Sequence, residues 1–196
     1  VQGAFAEHAG ALVASGAESS EVRTGADLDA VDGLVIPGGE STAIGLVGGE
    51  SGLLEAIRGR IDGGLPVFGT CAGLIMLAAD VTAGSPPLIG GLDVRVRRNA
   101  YGRQRASFEA PIAMPALGDP PFPGIFIRAP WSEAAGPEVE VLGELGGRIV
   151  AVRQGAILAT AFHPELTPDL RIHRAFIDAL RSAGRSRPAG AEGRTH

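Results

Sequence analysis

The chain of 196 residues has no lysine; all 17 of its basic residues are arginine. That absence excludes two chemistries. A phosphate-cradling P-loop places a lysine ammonium on the phosphates, and an imine-forming enzyme needs a lysine amine. This chain supplies neither. Cysteine is nearly absent as well. With Cys71 alone, no disulfide can form within the chain, and that residue is either a small core side chain or a nucleophile. No apolar run approaches the ~20 residues that span a bilayer, and no leader pattern opens the sequence, so the expected compartment is the cytoplasm. An excess of positive charge is missing too. The 22 acidic residues outnumber the basic ones and leave a net charge of −5, which offers nucleic acid no basic surface.

What is present describes a globular protein. Hydrophobic residues make up 45% and charged residues 20%, material for one α/β domain with a sizeable core. The spacing predicts a helix from Phe5 to Gly16 and a weak strand from Ala17 to Arg23. Leu34-Val35-Ile36, between Asp32-Gly33 and Pro37-Gly38-Gly39, reads as a buried parallel strand. A helix from about Ser51 to Asp62, a strand at Pro66–Gly69 and a helix from Leu74 to Asp80 come next. Strand, turn and helix alternate, which predicts an open, mostly parallel sheet flanked by helices in three layers. After Pro86-Pro87 the pattern changes. Asp93–Arg97, Ile125–Ile127, Val139–Leu142, Ile149–Arg153 and Ile157–Phe162 read as short strands, added antiparallel in the second half. Ile172–Leu180 is a closing amphipathic helix.

These elements place one domain over residues 1–181. A doubly wound domain opens on a buried strand, whereas this sequence opens on Gln2-Gly3-Ala4, so the first strand is expected before Val1. Residues 182–196, dominated by Gly, Ser, Arg and Pro, are expected to be a disordered tail.

Three strand ends carry the candidate chemistry. Gly69-Thr70-Cys71-Ala72-Gly73 joins an apolar strand to an apolar helix, the arrangement of a nucleophile elbow with Cys in place of Ser. Small neighbours keep Cβ atoms out of the tight turn, and the following helix directs its N-terminal dipole at the sulfur, favouring thiolate. Phe162-His163-Pro164-Glu165 comes after another apolar strand. Pro164 is expected to prevent a helix, and residues i and i+2 of an extended segment share a face, which lets Glu165 hold one nitrogen of His163 while the other faces the thiol. Alone, His-x-Glu reads as a structural histidine; the elbow at a neighbouring strand end makes the pair specific. Pro37-Gly38-Gly39-Glu40-Ser41-Thr42 is an ordinary turn or a source of backbone N–H groups for an oxyanion, with Ala72 N–H as the second donor. Among Arg95, Arg97, Arg98, Arg103 and Arg105, most read as a solvated face or docking surface, and one is a candidate for a substrate carboxylate, as is Arg128. His8, His173 and His196 read as surface or structural residues.

Taken together, these segments resemble the glutaminase subunits of pyridoxal 5′-phosphate synthases, which are class I (triad-type) glutamine amidotransferases with a flavodoxin-like sheet. The resemblance runs through almost the whole chain. Val1-Gln2-Gly3-Ala4, Pro37–Thr42, Gly69–Leu74, Arg98-Asn99-Ala100-Tyr101-Gly102-Arg103-Gln104, Phe126–Pro130 and Phe162–Leu166 carry it. It implies Cys71 as nucleophile, with His163 and Glu165 completing a catalytic triad. It implies glutamine held by Gly39, Glu40, Ser41, Arg98, Ile127 and Arg128, and an oxyanion site at Gly39 and Ala72. Only the resemblance singles out Arg98 from its neighbours. It also implies no cofactor or metal, and a larger synthase subunit as the ammonia acceptor. The missing lysine suits that division, because imine chemistry then belongs to the partner.

Two other classes of reading remain open in the residues. One is a different class I amidotransferase, or a cysteine peptidase or γ-glutamyl hydrolase of similar fold. The other is a regulatory or scaffold subunit without activity, against which the intact Cys71, His163 and Glu165 argue.

Overall fold

A computed structural model describes residues 2–39, 52–82, 84, 86, 88–98 and 107–186. In chain order the elements are α1 (Gln2–Ala14), α2 (Gly25–Asp29), β1 (Leu34–Ile36), α3 (Leu53–Asp62), β2 (Val67–Thr70), α4 (Ala72–Leu77), β3 (Ala78–Val81), β4 (Leu92–Arg97), β5 (Ser107–Ile112), β6 (Phe122–Ile127), β7 (Trp131–Ala135), β8 (Glu140–Leu145), β9 (Arg148–Gln154), β10 (Ile157–Thr160) and α5 (Arg171–Ser186). Single 3-10 turns occupy Pro115–Leu117 and Pro164–Leu166. No helix among the described residues is long and apolar enough to cross a membrane.

The main sheet runs β1-β2-β10-β9-β7-β4-β3, with β8 added on β9, while β5 and β6 form a separate ribbon. β2 lies parallel to both β1 and β10, and β9 is antiparallel to β10, β7 and β8. The open α/β sheet with antiparallel additions is therefore present, with parallel pairing at both ends: β1-β2-β10 at one and β4-β3 at the other. β2 and β10 are buried on both faces throughout, as expected of parallel strands covered by helices. Alternation along β2 shows which helices cover which face. Phe68 turns toward α1 and α5, its ring 5.9 Å from that of His8 and 5.7 Å from that of Phe176. Gly69 turns the other way, where a Cβ would stand 2.7 Å from Leu77 of α4. On α5, Ile172, His173, Phe176 and Ile177 form the buried stripe, at the spacing of one helical face.

Some boundaries differ from the expectations. Residues 17–23 form no strand; Ala17 N–H instead closes the end of α1 on Leu12 O. The helix after Cys71 stops at Leu77, and Ala78–Val81 pairs with β4, because strand pairing outweighs the helix propensity of Ala and Leu. α5 continues to Ser186, past the expected start of the tail at Ser182; residues 187–196 lie outside the described residues. β4 alternates buried and exposed as its sequence predicts. Its outer face carries Arg95, paired with Asp80 at 2.9 Å, and Arg97, paired with Glu133. These two arginines belong to a solvated strand face; Arg103 and Arg105 lie outside the described residues.

Candidate active site

Register brings three strand ends together. Ile36 of β1 lies beside Gly69, and Thr70 of β2 beside Thr160 of β10. The segments leaving these carboxyl ends must therefore meet: Pro37-Gly38-Gly39 after β1, Cys71 after β2 and His163 after β10. Cys71 N–H donates to Thr160 O at 2.8 Å, and His163 N–H to Ile125 O of β6 at 2.8 Å.

Cys71 has φ 49° and ψ −98°, outside the regions open to ordinary L-residues. The chain turns there from β2 into α4 within one residue, and the flanking glycines permit it. A Cβ on Gly73 would collide with Ile36 O, and one on Gly69 would stand 2.8 Å from Gly73 C. As the first residue of α4, Ala72 has an N–H without an intrahelical partner.

His163 Nδ1 lies 2.7 Å from Glu165 Oε1, which leaves Nε2 as the nitrogen available to the Cys71 sulfur. All three residues are buried. The expectation that Pro164 prevents a helix is corrected, since Pro164–Leu166 is a 3-10 turn. Proline is tolerated at the first helical position, where its missing N–H has no partner to lose. The turn, rather than an extended face, brings Glu165 back onto His163. Burial opposes charge on His163, yet hydrogen bonds and attraction from Cys71 and Glu165 outweigh it and raise its pKa to about 10. Burial likewise opposes charge on Glu165, but the His163 hydrogen bond and the neighbouring histidines hold it below the ordinary carboxylate value. An imidazolium held between sulfur and carboxylate suits a nucleophile with its general acid.

The implied substrate residues divide. Ile127 O is 3.8 Å from Cys71 Sγ, and the next residue, Arg128, has φ 45°, so the end of β6 borders the sulfur. Gly39 comes directly after Gly38, which lies against the Cys71–His163 pair; Glu40 and Ser41 lie outside the described residues. Arg98 comes directly after β4, its Nη1 3.1 Å from where a Cβ on Gly84 would stand. Among the described residues, no group of three or more His, Cys, Asp and Glu side chains is arranged to hold a metal ion. An open cavity of about 1750 Å³ beside β1 is bordered by His8 but not by Cys71, His163 or Glu165.

The sequence reading missed Gly38 and placed two histidines loosely. His8 and His173, left as surface or structural, are both buried, with His8 Nε2 3.3 Å from Glu165 Oε2. Only the run of glycines after β1 signalled Gly38; nothing local signalled the histidines, which meet across 165 residues of sequence.

Known proteins resemble this chain over nearly its whole length. Residues 1–182 match the SNO glutamine amidotransferase family. The chain is 55% identical over 189 residues to the pyridoxal 5′-phosphate synthase subunit PdxT of Frankia casuarinae, covering 95% of both chains. It is 53% identical over 184 residues to the subunit of the same name from Streptomyces avermitilis, covering 93% of this chain and 92% of that one. A solved glutamine amidotransferase structure superposes with a TM-score of 0.86 at 46% identity, covering 92% of this chain and 95% of that one. The chain belongs to the SNO glutamine amidotransferase family.

Proposed function

We propose that this chain hydrolyses the side-chain amide of L-glutamine and passes the ammonia to the synthase subunit that makes pyridoxal 5′-phosphate. The observation that carries the reading is the convergence of three strand ends on Cys71, with His163 between the sulfur and Glu165. The Cys71 thiolate attacks the amide carbon, and the N–H groups of Gly39 and Ala72 receive the oxyanion. His163 gives its Nε2 proton to the leaving nitrogen, so ammonia departs and a glutamyl thioester remains. The neutral imidazole then takes a proton from water, whose oxygen attacks the thioester carbon. Glutamate leaves, and the thiolate and imidazolium are restored. Glu165 keeps the ring oriented and its charge balanced. Gly39, Glu40, Ser41, Arg98, Ile127 and Arg128 hold glutamine in this reading.

Ammonia protonated in bulk water loses its nucleophilicity, so transfer to the synthase subunit needs a water-poor route. The reaction belongs in the cytoplasm in this reading. An assay for ammonia release from glutamine, with and without the synthase subunit, tests it. Wild type is expected to be active and Cys71→Ala inactive; glutaminase activity retained by Cys71→Ala would refute the assignment.

A further inference from the structure

We propose that His8 of α1 is a positioning residue for this reaction, its Nε2–H holding Glu165 Oε2, the carboxylate oxygen that His163 leaves unused. The inference rests on the glutaminase reading but concerns a residue outside the Cys–His–Glu set. Glu165 Oε1 is taken by His163 Nδ1 at 2.7 Å. Glu165 Oε2 is buried without a hydrogen bond among the described residues, and His8 Nε2 stands 3.3 Å from it. The same nitrogen lies 3.1 Å from Thr70 Oγ1, the residue before the nucleophile. A carboxylate oxygen buried without a donor is costly, so the group facing it matters.

The neighbouring contacts assign the proton. His8 Nδ1 is 3.1 Å from His173 Nε2 on α5, and one of the two donates. With the proton of His8 on Nδ1, its Nε2 lone pair would oppose the Glu165 carboxylate. His173 would then have to accept at Nε2, and its own proton would sit on Nδ1, a buried atom with no hydrogen-bond partner among the described residues. With His173 donating from Nε2, both faults disappear: His8 Nδ1 accepts, and His8 Nε2–H faces Glu165 Oε2 and Thr70 Oγ1. His173 Nδ1 is left with a bare lone pair, a milder loss than a buried unpaired N–H. Phe68 of β2 holds both rings edge-on, at centroid distances of 5.9 Å from His8 and 5.6 Å from His173.

Both histidines are neutral in this arrangement. Burial pushes His8 below the ordinary histidine value despite the Glu165 and Glu7 carboxylates, with the His163 cation adding to the push. Burial and the neighbouring His8 lower His173 to about 4 against the opposing pull of Glu165. The line of contacts runs His173, His8, Glu165, His163, Cys71, and it ties the approach of α1 to the orientation of the catalytic imidazole.

The test is glutaminase kinetics, with the synthase subunit present, for wild type, His8→Leu and His8→Gln, each with a thermal melt. Loss of the N–H that faces a buried charged oxygen predicts a fall in kcat of roughly 10- to 100-fold for His8→Leu, with KM within about twofold of wild type. His8→Gln, whose amide nitrogen reaches the position of Nε2, is expected to recover most of that loss. Wild-type kcat in His8→Leu, or equal impairment of the two variants at equal Tm, overturns the proposal. If His8→Leu does not fold, His173→Leu and His173→Gln take its place: the leucine variant is expected to lose kcat and the glutamine variant to regain it, and wild-type kcat in His173→Leu overturns the proposal. A wild-type chain releasing no ammonia is instead a failure of the glutaminase reading. The proton NMR resonance of His163 Nδ1–H then decides the His8 question: it is expected to shift in His8→Leu and return in His8→Gln, and an unmoved resonance overturns the inference.

Discussion

Gly38 faces His163 so closely that a Cβ on it would stand 3.0 Å from Nδ1, closer still to Cε1, and 3.4 Å from Cys71 Cβ. The second residue after β1 therefore caps the Cys–His pair, and its lack of a side chain sets where the imidazole rests. Gly38 is not among the glycines with positive φ, so alanine there is penalised by contact and not by backbone strain. Gly38→Ala must push the ring away from the sulfur or from Glu165. A misplacement of about 1 Å costs on the order of 100-fold in rate, whereas overpacking costs only about 1–3 kcal/mol of stability. The expected result is a protein that melts cooperatively with kcat/KM down by that factor, read from steady-state kinetics beside a thermal melt.

The buried charges predict a stability profile with a maximum near neutral pH. His163 has its folded pKa raised to about 10, so its contribution is complete below the unfolded value of 6.5 and disappears as pH climbs through 10. His173, lowered to about 4, acts oppositely: its neutral form is stabilising above 6.5, and the contribution is lost as pH falls toward 4. Tm measured from pH 4 to 10 should fall on both sides. Cys71→Ala removes one of the causes that raise His163, so its alkaline fall should be shallower than that of wild type. Superimposable alkaline limbs would contradict the part that Cys71 has in raising His163.

The sequence made some of this legible and hid the rest for a physical reason. Leu34–Ile36, Pro66–Gly69 and Ile157–Phe162 are apolar runs bounded by turn residues, so strands and their ends could be read locally, and with them Cys71 and His163. The strands β3, β5 and β7 could not be read in this way, because Ala78–Val81, Ser107–Ile112 and Trp131–Ala135 are partly exposed and owe their conformation to partner strands. His8 and His173 are the extreme case. On a helix they resemble any polar residue, and only the packing of α1 and α5 against Phe68 brings His8 to Glu165 and His173 to His8.

Arg95 and Arg98 allow a solvated charge to be compared with the proposed substrate contact. Arg95 pairs with Asp80 at 2.9 Å, each side chain more than half exposed. Exposed pairs contribute little because solvent screens them. Arg95→Ala is expected to leave KM for glutamine unchanged and to shift Tm only slightly. Arg98, read as a ligand of the glutamine α-carboxylate, is expected to behave differently: Arg98→Ala should raise KM about tenfold or more with kcat little affected, the pattern of a lost binding contact. Equal KM values for the two variants would remove Arg98 from the substrate site.

Glu165→Gln isolates the charge of the carboxylate from its shape. The amide oxygen still accepts from His163 Nδ1–H, so the ring keeps its orientation, but the imidazolium loses the negative charge beside it. In a triad this change lowers kcat by roughly a hundredfold to ten-thousandfold, with little effect on substrate binding. The same substitution has a thermodynamic signature. Glu165 is held below its ordinary value of 4.5, so its charge stabilises the fold above that value, and the contribution is lost as pH falls through the depressed folded pKa. Glu165→Gln lacks this contribution at every pH. The Tm difference between wild type and variant should therefore be largest at neutral pH and shrink as the pH drops below 4.5. A difference that stayed constant into acid would mean that the carboxylate charge carries none of the stability, and its partnership with His163 and His8 would have to be redrawn.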